Sequence, residues 1–148
     1  MNKAPFLLLF AVALAFTACN NDDDNTPPVD TNIVNLTATI DGKQEVPTTP
    51  STATGTFTGT LNKTTRVLTY VVTYVGLTVT AGHLHRGAPG VAGPVVIPFS
   101  SLTSPINGTA TLRQTLADSL VNGLVYVNLH TAAYPATGEI RGNITVKP

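Results

Sequence analysis

From residue 35 onward the chain repeats one pattern: short runs in which apolar and polar residues alternate, each ended by a turn sequence. Successive side chains of an extended strand face opposite ways, so each run has one face to bury and one to leave wet. Leu36 Thr37 Ala38 Thr39 Ile40 alternates and stops at Asp41 Gly42, a turn signal. After the proline-bounded loop Val46 Pro47 Thr48 Thr49 Pro50, alternation resumes in Gly55 Thr56 Phe57 Thr58 Gly59 Thr60 Leu61. The turn residues Asn62 Lys63 Thr64 Thr65 then lead into the β-branched run over residues 67–75, and these two runs are expected to pair as a hairpin. Further strands are predicted over residues 95–99, 107–112, 124–130 and 139–146. One helix is predicted over residues 116–121, where Leu116 and Leu120 stand four apart and Gly123 can supply the left-handed stop. Some eight short strands at even spacing predict an all-β domain, a two-sheet antiparallel Greek-key sandwich or barrel with one short helix.

Two segments of different character precede this body. Residues 1–18 carry Lys3, an apolar run over residues 6–16 and then small residues, the pattern of a secretory signal and too short for a typical spanning helix. Phe16 Thr17 Ala18 Cys19 resembles a bacterial lipobox, which implies cleavage before Cys19 and lipidation of that residue. Cys19 is the single cysteine, so no internal disulfide supports the fold. Residues 19–34 combine Asp22 Asp23 Asp24 with Pro27 Pro28 and lack apolar periodicity, which predicts a disordered tether between the anchor and a domain spanning residues 35–148. An acidic run just after such a cysteine also resembles the surface-export signals of bacterial lipoproteins. The expected location is the outer membrane, with the domain exposed at the cell surface as an alternative to a plain periplasmic spacer.

Charged residues make up 11% of the chain and the formal charge is zero, so no basic field recommends nucleic acid as a partner. Chemistry is concentrated in Ala81 Gly82 His83 Leu84 His85 Arg86 Gly87 Ala88. On a strand, His83 and His85 emerge on one face and Leu84 on the other. The third histidine of the chain, His130, lies in another alternating segment, Tyr126 Val127 Asn128 Leu129 His130 Thr131. Two ligands on one strand and one from a neighbour can make a three-ligand site with an open position, and imidazole suits copper and zinc. The alternative is structural: the histidines hydrogen-bond residues 87–94 and 132–138 into place. Glu139 and Arg141, two apart, could pair with each other to lock the last strand or find partners across the sheet, and Glu139 could instead act as a base or orient a histidine. Arg86, pointing away from the histidine face, is given no role. Asn35, Asn62, Asn107 and Asn143 each open an Asn-x-Thr triplet, read as a by-product of Thr-rich strands.

Several of these segments together resemble the chordin-type, or CHRD, domain. They are residues 81–88 with Gly93 Pro94 Val95 Val96, Leu116 with Leu120 and Gly123, residues 126–131, and Tyr134 Pro135 with Gly138 Glu139 Ile140 Arg141 Gly142. Leu36 Thr37 Ala38 with Glu45 Val46 Pro47 also matches the family's start; Asn143 stands where the family often has Gln. The resemblance implies an immunoglobulin-like or superoxide-dismutase-like sandwich in an extracellular setting, and it implies no reaction. The Gly82 His83 Leu84 His85 spacing also resembles the copper-ligand strand of copper/zinc superoxide dismutase, but three histidines are too few for a bimetallic centre. Two functions are therefore expected to compete. One is a lipid-anchored binding module for an envelope protein or glycan, without catalysis of its own. The other is a mononuclear copper or zinc protein using His83, His85 and His130, with redox activity as its extension.

Overall fold

The computed structural model describes residues 31–148, and the expected signal segment, Cys19 and most of the tether lie outside the described residues. Each alternating segment is a strand: β1 (Ile33–Asp41), β2 (Thr54–Asn62), β3 (Val67–Val75), β4 (Ala81–Arg86), β5 (Val95–Pro98), β6 (Ile106–Thr111), β7 (Val125–His130), β8 (Ile140–Asn143) and β9 (Thr145–Val146). Helix α1 (Gln114–Val121) opens two residues before the predicted start, and Gly123 follows it at a φ of +72°. The β2–β3 hairpin forms as expected, and its turn is fixed by Asn62, whose side-chain oxygen accepts the backbone N–H groups of Thr64 and Thr65.

The strands make one continuous antiparallel sheet in the order β5-β4-β7-β8-β1-β2-β3-β6, with β9 added to β1. The expectation of two separate sheets is corrected accordingly: the two packed layers are halves of a single sheet that rolls toward a barrel. The join between the halves is narrow. β1 pairs with β2 along its whole length, but meets β8 only at Asp41 opposite Arg141 and β9 at Leu36 and Thr37. The last segment turns this corner at Ile144, whose N–H is given to Val125 while Thr145 moves on to pair with Thr37. Such a break bends the strand and lets one chain serve both halves.

Inward positions from both halves fill one core, including Leu36, Ile40, Phe57, Leu68, Leu84, Val127, Leu129 and Ile140. Tyr70 closes one part of it between Phe57 and Phe99, with ring centroids 5.9 and 5.6 Å away. Its ring occupies the space where a Cβ on Gly108, the residue opposite it in β6, would stand. Leu116 and Leu120 of α1 approach Leu68 of one half and Leu84 and Val125 of the other, so the helix covers the opening of the roll.

Candidate metal centre

The outer face of β4, β7 and β8 is polar in sequence but shielded from water. His83 and His85 project from β4, Tyr126, Asn128 and His130 from β7, and Arg141 and Asn143 from β8. All six residues of β7 are buried, the inward three by the core and the outward three by chain folded over them. Three ties hold residues 87–93 against this face. Gly93 gives its N–H to the Tyr126 hydroxyl (3.1 Å), its carbonyl accepts from His85 Nδ1 (2.9 Å), and the carbonyl of Ala88 accepts from Arg141 Nη2 (2.9 Å). Asn128 gives its amide to the carbonyl of Thr137, which fastens the loop after β7 (2.7 Å).

Register brings the three histidines together. His83 lies opposite Asn128, so His130, two residues on, is its diagonal neighbour across the β4–β7 ladder, while His85 follows on the same face of β4. Ring centroids are 5.5 Å apart for His83 and His85, 5.2 Å for His83 and His130, and 6.3 Å for His85 and His130. One nitrogen from each ring can be chosen so that all three lie within 4.8 Å of one another. Bonds of about 2.0–2.1 Å to one ion would bring such nitrogens to roughly 3.3–3.5 Å, a closure within reach of side-chain rotation.

The protonation of the site favours ligation. A carbonyl only accepts, so the bond to Gly93 places the proton of neutral His85 on Nδ1 and leaves a lone pair on Nε2. That Nε2 is buried without a partner, as is His83 Nδ1, and both ring nitrogens of His130 are buried as well, beside the backbone of Tyr134 and Pro135. Burial lowers the pKa of all three imidazoles below the ordinary value. For His83 the neighbouring His130 and His85 add to the effect, for His130 it is His85, and for His85 it is the Arg141 guanidinium that adds to it. Hydrogen bonding to Gly93 opposes the shift at His85, and the backbone at Pro135 and Tyr134 opposes it at His130. Neutral imidazole is the form a metal requires. His83 is the partly exposed member, so the site opens on its side.

The structural alternative accounts for only part of this geometry. His85 pins residue 93, as a tie to the 87–94 loop requires, and the ring of His130 lies against the backbone of Tyr134 and Pro135 in the 132–138 loop, but the unpartnered Nδ1 of His83 makes no such link. Glu139 and Arg141 take different partners. The Glu139 carboxylate accepts from the hydroxyls of Ser51 and Thr131, which welds two loops together and occupies both of its oxygens. Arg141 is fully buried with its guanidinium carbon 3.4 Å from the centre of the Tyr126 ring. His85 stacks on the same ring at 4.9 Å, so Tyr126 is flanked by a ligand candidate from β4 and a cation from β8. Sequence reasoning left out Tyr126, Asn128 and Glu45. The available signal was polar residues at every outward position of β7 beside a Gly/Pro-rich loop able to lie flat on them.

The CHRD-domain family model matches residues 36–144. Comparison with the curated proteins returns no match, and neither does comparison with the solved structures. The matched span runs from Leu36 within β1 to the end of β8 and holds all three histidines, Tyr126 and Arg141, and on that span the chain belongs to the CHRD-domain family.

Proposed function

We propose that this CHRD domain is a metal-binding module in which His83, His85 and His130 hold one copper or zinc ion. One observation carries the reading: three imidazoles place one nitrogen each within 4.8 Å of one another, and His83 Nδ1 and His85 Nε2 are buried without partners, where an unmade hydrogen bond costs about 1–3 kcal/mol each. A neutral three-imidazole set suits copper and zinc, and such an ion would supply a Lewis-acidic centre with a free position. His85 is held in the ligating tautomer by Gly93, and the wall of Tyr126 and Arg141 fixes the plane of its ring. His83, the member nearest solvent, lies where an ion or an exogenous ligand would enter. Family membership supports the broader reading of a binding module, and the single three-histidine cluster confines any redox role to a mononuclear centre.

Metal analysis and calorimetry on the full chain, purified without chelators, test this. The expected result is one copper or zinc per chain, lost in His83→Gln, His85→Gln and His130→Gln variants that keep the parent circular dichroism. Absence of metal and of binding at micromolar copper or zinc would return the histidines to a structural role.

The proposal extends to where the domain works. Lipidation of Cys19 would attach it to the outer membrane, with the segment before β1 as the tether. The sequence pattern around Cys19 supports this placement.

A further inference from the structure

The rolled sheet leaves a seam. β5 and β6 are its two ends, and each is hydrogen-bonded to a neighbour on one side only. A groove of about 380 Å³ runs between them, with Val96 and Ile97 of β5 on one wall and Leu112 and Leu116, just beyond β6, on the other. That volume falls within the range of ligand clefts. Arg86 and Arg113 also line the groove. Both are exposed, neither has an ion-pair partner among the described residues, and no acidic side chain shares the lining.

The two edges differ as templates. β5 is four residues long, ends in Pro98, which has no N–H to offer, and follows Pro94. β6 has six residues and no proline. It is the edge on which an added strand can form a ladder, and such edges are ordinarily protected. An apolar floor beside a free edge selects an extended peptide, whose backbone gives affinity and whose alternate side chains give specificity. The two unpaired guanidiniums select carboxylates. The chain's own residues 20–30 meet the charge requirement through Asp22, Asp23, Asp24 and Asp30, but Val29 is their only large apolar residue, too little to fill the floor.

We propose that this seam docks an extended acidic peptide from a partner protein. The peptide adds a strand to β6, sets apolar side chains between Val96, Ile97, Leu112 and Leu116, and gives carboxylates to Arg86 and Arg113. Nothing in this assignment depends on the histidine centre.

The test uses the full chain and two synthetic peptides the length of β6, one alternating Val and Asp, the other Val and Lys. The Val/Asp peptide is expected to bind and to shift the amide resonances of β6 and of Arg113. In the R86E/R113E double variant its affinity falls by at least about tenfold and the preference turns to the Val/Lys peptide. Both positions are exposed, so an unchanged melting temperature verifies the fold. Equal binding of the two peptides, no binding of either, shifts confined to other strands, or a double variant that binds like the parent would each overturn the proposal. Tighter binding of a peptide comprising residues 20–30 would overturn the partner assignment and make the chain's own acidic segment the occupant.

Discussion

Arg141 explains how a strand face that reads as polar becomes an interior. It is completely buried, and burial lowers its pKa, with Tyr126 and Glu45 opposing the shift. The cost of desolvating a guanidinium is offset by the Tyr126 ring, the carbonyl of Ala88 and the charge of Glu45, itself 3% exposed. This cation lies next to imidazoles and helps to keep His85 neutral. A pH prediction follows. The folded-state pKa values of all three histidines lie below the ordinary 6.5, so on acidification the unfolded chain takes up protons first. Their contribution to stability is whole above about pH 6.5 and is lost as pH falls toward the depressed folded values. Urea unfolding of the metal-free full chain should show stability falling from about pH 7.5 to about pH 5.5, by up to about 1.4 kcal/mol per pH unit for each histidine. Glu45 acts the other way, since its raised pKa favours the protonated form and its contribution is lost as pH rises through the folded value. It is common to the parent and to a variant with all three histidines replaced by Gln, so the difference between their slopes isolates the imidazoles. Equal slopes would mean that the rings are solvated like free histidine.

Among the elements, β3 and β6 depend on one absent side chain. Gly108 lies opposite Tyr70, and a Cβ there would collide with the tyrosine ring. Gly108→Ala should therefore cost about 1–3 kcal/mol in urea unfolding, the usual cost of overpacking. Adding Tyr70→Leu should return part of that loss, so the two changes are less than additive; a neutral Gly108→Ala would mean that the Phe57–Tyr70–Phe99 stack moves aside freely. The alternating pattern made nearly all strands, the hairpin and the same-face placement of His83 and His85 legible in the sequence, because each follows from a period of two. Strand order was not legible, since alternation assigns faces and says nothing of which strand lies beside which. The single sheet is joined by the Asp41–Arg141 pairing of β1 with β8 and by a corner at Ile144, neither of which any local pattern announces. Pairing Glu139 with Arg141 assumed that both belong to one strand, but β8 begins at Ile140, and Glu139 serves the loops while Arg141 serves the sheet. The burial of Arg141 was hidden because the chain that covers it comes from a loop distant in sequence, whose Ala88 accepts its hydrogen bond.

At the scale of the whole molecule, neutrality conceals an asymmetry. Residues 1–30 hold four aspartates against Lys3, whereas residues 31–148 hold seven Lys and Arg against four Asp and Glu. The domain is thus a cation joined to an acidic leader, which bears on anything that docks in a seam lined by arginines. The fold also separates two ends. The chain enters at Ile33, in a row that runs through Asn62 to the start of β3 and the end of β6. The row of His83, Asn128 and Arg141 meets β1 at Asp41, roughly 25–30 Å from Ile33 along that strand at about 3.3 Å per residue. A domain held by its N-terminus would carry the histidine centre away from the anchor, toward solvent and incoming ions. In the proposed attachment each acyl methylene contributes about 0.8 kcal/mol, so several chains on Cys19 hold the domain stably. A Cys19→Ala variant of the full chain should then lose metabolic lipid labelling and leave the membrane fraction. Its thermal unfolding should match the parent's, since Cys19 precedes the described domain. A variant that stays in the membrane fraction would show that attachment does not depend on this cysteine.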